Sequence, residues 1–448
     1  MAHAAESGDD GLSMWARTLG DLRQLAAGPR ALWLIFVIKF LESVAYFAIY
    51  NILTVYLTED LGYGDKAAGT IAGSWLTAVS LVMFFSGFVA DSLGIRKAML
   101  WAVASCLVGR AVMTIGRFDP VIPVVGLFIS TWGAASMMPT MTAAVRRYTT
   151  AKTVAFGFSL FYVVMNIGAL VAPQTLSFLR TSFKGGVTIA ALGNTHFSSS
   201  QILFAIATGV TLLAGMVTLL LPTEVSATAE LPTQQKAKNP LEILAEVVGD
   251  RQFFGFMLFV SLLVLVRLIF QHAHQTWPKY TQREIAADFD FANLWSINPA
   301  MVIVLTPLVT AFTKKLSAFW CIVVGGFVST ASVFFLVGSN AMWAQIGFVA
   351  VLSIGECLWS PRLYEYTAII AKPGREASYM GLSQVPMFVA KPIVGWLSGS
   401  MLAAWCPATG PRNSSLLWLV VGLTTLAGPI LIVLLRKVIE GKKAVEAT

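Results

Sequence analysis

Twelve apolar stretches recur along this 448-residue chain, most of them twenty residues or longer. A helix needs roughly 20 apolar residues to cross a bilayer. The stretches fall at 31–58, 66–90, 96–116, 121–147, 152–179, 201–221, 252–277, 290–313, 317–338, 341–370, 376–403 and 414–436. Composition agrees: 56% of residues are hydrophobic and 12% are charged, against about 25% charged in a soluble domain. Length alone suggests three soluble domains. The pattern overrides that and predicts an all-α integral membrane protein with twelve transmembrane helices.

The sixth stretch ends at Pro222, and Thr223–Arg251 is a long polar connection with Pro232, Pro240 and an amphipathic Leu241–Val248. The chain thus reads as five parts. These are a polar tail (1–30) carrying a short amphipathic helix, a six-helix bundle (31–221), a linker (222–251), a second six-helix bundle (252–436) and a short tail (437–448). With both termini on one side, nineteen of the 31 lysines and arginines fall on that side, seven on the other and five within spans. The positive-inside rule then places both termini and the linker in the cytoplasm. The net charge of +8 follows from this distribution and is no sign of nucleic-acid binding. Residues 1–30 are too polar, and the first apolar run too long, for a cleavable signal peptide. Cys106, Cys321, Cys357 and Cys406 lack the spacing of a metal site or a disulfide framework. Six spans, a linker and six more is the layout of transporters that hold solute near the midplane between two halves. The expected setting is a plasma or bacterial inner membrane, with an organelle membrane as the alternative, and the chain a monomer or weak dimer in the lipid bilayer.

Charges inside the spans mark where chemistry is expected. Each costs roughly 2.5–3.5 kcal/mol at the centre of a bilayer, so such residues face a bundle interior or a watery cavity. Lys39 and Glu42 lie three positions apart on one face of the first span, offset by about 4.5 Å along the axis. Tyr46, Phe47, Tyr50 and Tyr56 follow them and are placed to line the same cavity. Five in-span charges are basic (Lys39, Arg110, Arg267, Arg362, Lys391) and three acidic (Glu42, Glu356, Glu365), an excess that favours a substrate with an anionic group. Arg110 is expected to snorkel outward. Arg362 is expected to pair with Glu365 one turn on, as a gate or a fixed packing contact. His272 and His274, two apart, point to different faces, which argues against a paired-histidine metal site. One of them is placed either to share proton work with Glu42 or to face the outer vestibule. No nucleophile–base arrangement, phosphate loop or metal cluster stands out, so neither an enzyme nor a bound cofactor is expected.

Between the second and third spans the chain reads Gly87-Phe-Val-Ala-Asp91-Ser-Leu-Gly94-Ile-Arg96-Lys97. Asp91 at the membrane face can accept from a helix N-terminus or an arginine and so latch two halves together. The pattern resembles the major facilitator signature G-x-x-x-D-R/K-x-G-R/K-R/K, except that Ser92 replaces a base and Ile95 delays the basic pair. Four further stretches resemble the proton-dependent oligopeptide transporter family. Phe161-Tyr162-Val-Val-Met-Asn166-Ile-Gly168-Ala-Leu170 is similar to its F-Y-x-x-I-N-x-G-S-L. Ser296-Ile-Asn298-Pro299 with Pro307 is similar to its eighth-helix Q-S-x-N-P…P. Gly355-Glu356-Cys-Leu-Trp-Ser360-Pro361 is similar to its tenth-helix G-E-x-x-x-S-P, and Tyr46-Phe47 with Tyr56-Leu57 to its first-helix tyrosine pair.

That resemblance implies that Asn166, Asn298 and Glu356 hold a substrate's amino group and that Tyr46 lines the pocket. The chemistry agrees, since an ammonium offers three donors and two amide oxygens plus a carboxylate accept them. The alternative for the asparagines is bonding across helices. The departures matter equally. The family's E-x-x-E-R reads Lys39-Phe-Leu-Glu42-Ser43, its peptide-carboxylate arginine falls at Tyr50, its fourth-helix lysine at Met138, and its F-E-Q reads Phe270-Gln271-His272. Most of the family's proton relay and carboxylate clamp is therefore replaced, and Arg267, Lys391 and Lys39 are the candidate substitutes. The expectation is a secondary transporter moving a small peptide-like or amino-acid-like solute by alternating access, coupled to protons through Glu42, Lys39 and His272. Asp91, Gly94 and Arg96 form the expected latch. Alternatives are an exporter or facilitator of an organic anion or amine, and a substrate sensor that signals through the linker.

Overall fold

The computed structural model describes residues 14–116, 119–183, 186–189, 195–222, 240–249, 251–286, 294–383, 385–407 and 409–439. A short amphipathic helix α1 (Met14–Ala26) precedes the first long apolar helix, α2 (Arg30–Val55), which starts after an extended Pro29 and closes in a π-turn at Tyr56–Asp60. Next come α3 (Asp65–Leu93) and α4 (Ile95–Ile115), separated by Gly94 alone. Its φ of +80° reverses the chain within one residue, a conformation that a Cβ would strain. The fourth apolar stretch is broken at Ser130 into α5 (Val121–Ile129) and α6 (Thr131–Tyr148). It is followed by α7 (Val154–Ser182) and a small antiparallel hairpin, β1 (Val187–Ile189) with β2 (Thr195–Phe197). The next helix, α8 (Ser199–Leu219), starts on a reciprocal cap between Ser198 and Gln201, a clear stop–start signal at the membrane edge.

The amphipathic stretch of the linker is α9 (Pro240–Val248). Beyond it lie α10 (Arg251–Gln275), α11 (Trp277–Glu284), α12 (Ile297–Thr313), α13 (Ala318–Gly338) and α14 (Met342–Ile370). The chain finishes with α15 (Glu376–Ser383), α16 (Val385–Trp405), α17 (Ser414–Leu434) and α18 (Arg436–Ile439). Among the described residues ten spans, with α5 and α6 counted as one, are long and apolar enough to cross a membrane. The two other expected stretches are also helical: α12 is apolar but only 17 residues long, and the eleventh stretch is helical as α15 and α16 on either side of residue 384, which lies outside the described residues.

Helices before the linker pack mainly on one another, α2 against α7 and α8, and α4 against α5, α6 and α8. Those after it do the same, α14 against α13 and α12, and α17 against α13 and α10. Three seams join the two sets: α3 against α15 and α16, α6 against α14 and α15, and α7 against α12 and α14. The first seam is tight. A Cβ on Gly87 would lie 2.2 Å from the Ala377 carbonyl oxygen, so only glycine lets α3 and α15 meet at this separation. The linker helix α9 lies across α3, α10 and α15, buries Val247, and pairs Glu246 with Arg375 at 3.2 Å.

Candidate functional site

The central polar cluster sits on the α7–α12–α14 seam. Glu356 of α14 is 8% exposed and receives one donor from each side of the linker. The Tyr162 hydroxyl of α7 donates to Oε1, and the Asn298 amide of α12 donates to Oε2 at 2.7 Å. The same amide group also donates to the Ser353 hydroxyl at 3.0 Å, and Ser353 bonds back to the Val349 carbonyl at 2.7 Å. Helical spacing explains the assembly, since Ser353 lies three residues before Glu356 and Tyr162 four residues before Asn166. Asn166 is buried one turn along α7 and donates to the Tyr162 carbonyl at 2.9 Å. Thus Asn298 and Glu356 are in direct contact, while among the described residues the Asn166 amide bonds only the backbone of its own helix. The sequence motif contained Tyr162, but only the fold shows that it binds Glu356.

A carboxylate has about four acceptor positions. With two filled by neutral donors, Glu356 keeps room for an ammonium group. Arg267 of α10 is within electrostatic range of Glu356, and its guanidinium rests over the Trp359 ring, 5.2 Å from the centroid. Lys391 is on α16, and its side chain falls outside the described residues.

The second cluster is the Lys39–Glu42 pair on α2, with Nζ to Oε2 at 2.8 Å and both side chains buried. Lys39 also lies over Phe161, 5.5 Å from the ring centroid. Phe161 and Tyr162 both contact the Tyr364 ring, so a continuous packed line runs from Lys39–Glu42 to Glu356. Tyr46 stacks on Tyr50 with centroids 6.0 Å apart and also contacts Phe47 and Trp75. Tyr50 is 42% exposed, which places it at the margin of this aromatic group.

His272 is in a different network. Its Nδ1 is 2.8 Å from the Thr276 hydroxyl, which donates to the Ser398 hydroxyl at 2.8 Å, all on helices after the linker. Glu42 has Lys39 as its partner and is on the other side of the molecule's seam. His274 bonds the Phe270 carbonyl at 2.6 Å and packs edge-on against Trp295. Arg110 does not snorkel. It is 3% exposed and donates to the Thr211 hydroxyl of α8, a polar partner within the helix packing. Arg362 pairs with Glu365 at 2.6 Å and also donates to the Thr313 hydroxyl at 3.3 Å.

A third cluster closes the α3–α15 seam. Asp91 accepts from the Ser378 amide at 2.8 Å, the Ser378 hydroxyl at 2.6 Å and the Ala377 amide at 3.3 Å. Those amides open α15, where first-turn N–H groups have no partner within the helix and favour an anion. Arg147 of α6 bridges Asp91 at 3.4 Å and Glu376 at 3.1 Å. Gly94 makes the turn beside this cluster, but Arg96 bonds the Leu219 carbonyl of α8 at 2.9 Å. The arginine that meets Asp91 is therefore Arg147, fifty-six residues away in sequence.

A sequence model of the Major Facilitator Superfamily matches residues 35–391. The chain belongs to that superfamily. It is accordingly a membrane transporter rather than an enzyme, a multi-pass integral protein of a plasma or inner membrane. It is 25% identical over 197 residues to Peptide transporter family 1 of Drosophila melanogaster, covering 41% of this chain and 24% of that one. Identity to the MFS-type transporter YqjV of Bacillus subtilis is 23% over 338 residues, with 73% and 76% covered. Identity to Dipeptide and tripeptide permease B of Shigella dysenteriae is 24% over 174 residues, with 37% and 34% covered. The matches therefore span only a quarter to a third of the two peptide transporters' lengths. Among solved structures, a POT family transporter in complex with 5-aminolevulinic acid superposes with a TM-score of 0.63. That superposition covers 92% of this chain and 97% of the other at 16% identity. A structure of proton dependent oligopeptide transporters gives 0.62, also at 16% identity, covering 92% and 98%. These chains share the fold.

Proposed function

We propose that this protein is a secondary active transporter for a small, amine-bearing, peptide-like or amino-acid-like solute. The observation that carries this reading is the Glu356 carboxylate, buried on the seam between the two sets of helices and held by Tyr162 from one and Asn298 from the other. An ammonium taking the remaining acceptor positions would draw on the charge that both donors share and alter how the two sets meet. Binding would thus be linked to the relative position of the two bundles, the requirement of alternating access. The twelve-helix, two-bundle division (31–221 and 252–436), with both termini in the cytoplasm, is part of the same reading. On that orientation the Asp91–Arg147–Glu376 cluster closes the cytoplasmic side. Asp91 and Gly94 then serve as the latch, with Arg147 in the role first given to Arg96.

Proton coupling is assigned to Glu42. Neutralising Glu42 would release Lys39, whose ammonium already packs on Phe161 beside Tyr162. The change would reach Glu356 through that packed line. His272, bonded to Thr276 in another network, has no comparable path to Glu42.

The test is ligand-dependent thermal stabilisation of the purified transporter. A ligand at a hundredfold excess over its Kd raises stability by about 2.7 kcal/mol. Amine-bearing peptides and amino acids should stabilise the wild type and leave Glu356→Gln unshifted. Equal stabilisation of the two proteins would refute the reading.

A further inference from the structure

Among the described residues, Arg267 has no anion at contact distance. It projects from α10 toward α14, and its guanidinium lies over the Trp359 indole, 5.2 Å from the centroid. That indole is itself fixed: Trp359 is 2% exposed, its Nε1 donates to the Ser329 hydroxyl at 3.1 Å, and Phe270 packs against its edge. Stacking therefore holds the guanidinium in place while leaving its N–H groups free to bond. Among the described residues none bonds it, and Nε is buried without a partner. Glu356 is the obvious counter-charge, being on the same face of α14 three residues before Trp359. Yet its oxygens are taken by Tyr162 and Asn298, and no ion pair forms between the two charges. Arg267 is only partly buried, but an Nε–H shut away from both water and a partner is costly to keep. A bidentate anion would remove that cost with good geometry.

We propose that Arg267 is the anion-recognising group of the solute site, so that Arg267 and Glu356 together select a zwitterion, carboxylate to one and ammonium to the other. This rests on the assignment of Glu356 to the amine. Both charged contacts then belong to helices after the linker, α10 and α14. The zwitterion would be anchored on one side of the seam and sensed from the other through Tyr162.

The experiment uses the full-length protein and two sets of probes: alanyl-alanine and ω-amino acids of increasing chain length, each as the free acid and as the carboxyl amide. Kd is read from ligand-dependent thermal stabilisation in wild type, Arg267→Met, Arg267→Lys and Glu356→Gln. Wild type should bind at least one free acid tenfold or more tighter than its amide. Arg267→Met should bring acid and amide to within twofold by weakening the acid alone, and Arg267→Lys should fall between. The best ω-amino acid length reports the separation of the two charges. The inference is overturned if wild type binds acid and amide equally, or if Arg267→Met keeps the acid preference. In both cases loss of amide binding in Glu356→Gln would leave the amine assignment standing. If Glu356→Gln binds every probe as wild type does, or wild type binds none, the assignment of Glu356 fails and the inference fails with it. Should Arg267→Met not fold, the wild-type acid–amide comparison together with Arg267→Lys decides the matter.

Discussion

At the scale of single residues, most of the chemistry lies in carboxylates that the membrane would normally exclude. Glu356 is tolerated because two donors reach it, and a hydrogen bond to a charged group is worth about 1.5–3 kcal/mol. Tyr162→Phe removes one donor with almost no change in shape. It should lower the unfolding free energy by about that amount, measured by thermal or denaturant melting, and should change solute affinity as well. A variant as stable as wild type would mean that Tyr162 does not hold the carboxylate. Glu42 presents a different case, since its partner Lys39 is on the same helix and the pair forms without any help from tertiary packing. Solute-driven uptake in proteoliposomes should depend on pH in the wild type and lose most of that dependence in Glu42→Gln. An unchanged profile in the variant would remove Glu42 from the coupling scheme.

At the scale of elements, the behaviour of α3 and α15 depends on close backbone approach and on a single acid. Gly87 permits the approach and Asp91 accepts the first amides of α15. Gly87→Val should push the two helices apart and loosen the Asp91 bonds to the Ala377 and Ser378 amides. The effect is readable as longer distances between spin labels on the two helices; unchanged distances would show that the seam can absorb the extra volume. The linker helix α9 adds a second tie, because Arg375 is buried while its partner Glu246 retains some exposure. Arg375→Gln should therefore release α9 from α15 and raise its hydrogen exchange, with α3 and α10 little affected. Protection of α9 equal to the wild type would assign its docking to Val247 and the apolar face alone.

At the scale of the whole molecule, the seams between the two sets of helices bury apolar side chains, such as Phe161 against Tyr364 and Ala90 against Ala377, around two polar nodes. Asp91, Arg147 and Glu376 form one node and Tyr162, Glu356 and Asn298 another. Every tenfold shift in a two-state population corresponds to about 1.4 kcal/mol, so one charge-assisted bond is enough to change the resting state. Asp91→Asn should move the population of label distances across the α3–α15 seam toward the longer state by roughly tenfold. If the distribution does not move, the node does not control which side opens.

The sequence by itself determined the helices and most of their ends, because a bilayer leaves a chain of this hydropathy little choice but long apolar helices. The bounds of α2, α4, α8, α13, α14 and α17 lie within a few residues of those read from apolar runs and the polar turns. Local pairs were equally legible: Lys39 with Glu42, and Arg362 with Glu365, each need only one helical turn. The β1–β2 hairpin and α11 carry no comparable signal, being short and outside the long apolar runs. Only the tertiary structure decided which distant groups meet. Asp91 is served by Arg147 rather than Arg96, Arg110 turns inward to Thr211, and Glu356 is bound by Tyr162 from 194 residues away. Helical periodicity assigns a side chain to a face, but what lies opposite that face depends on how the helices pack, and no period along the chain encodes that.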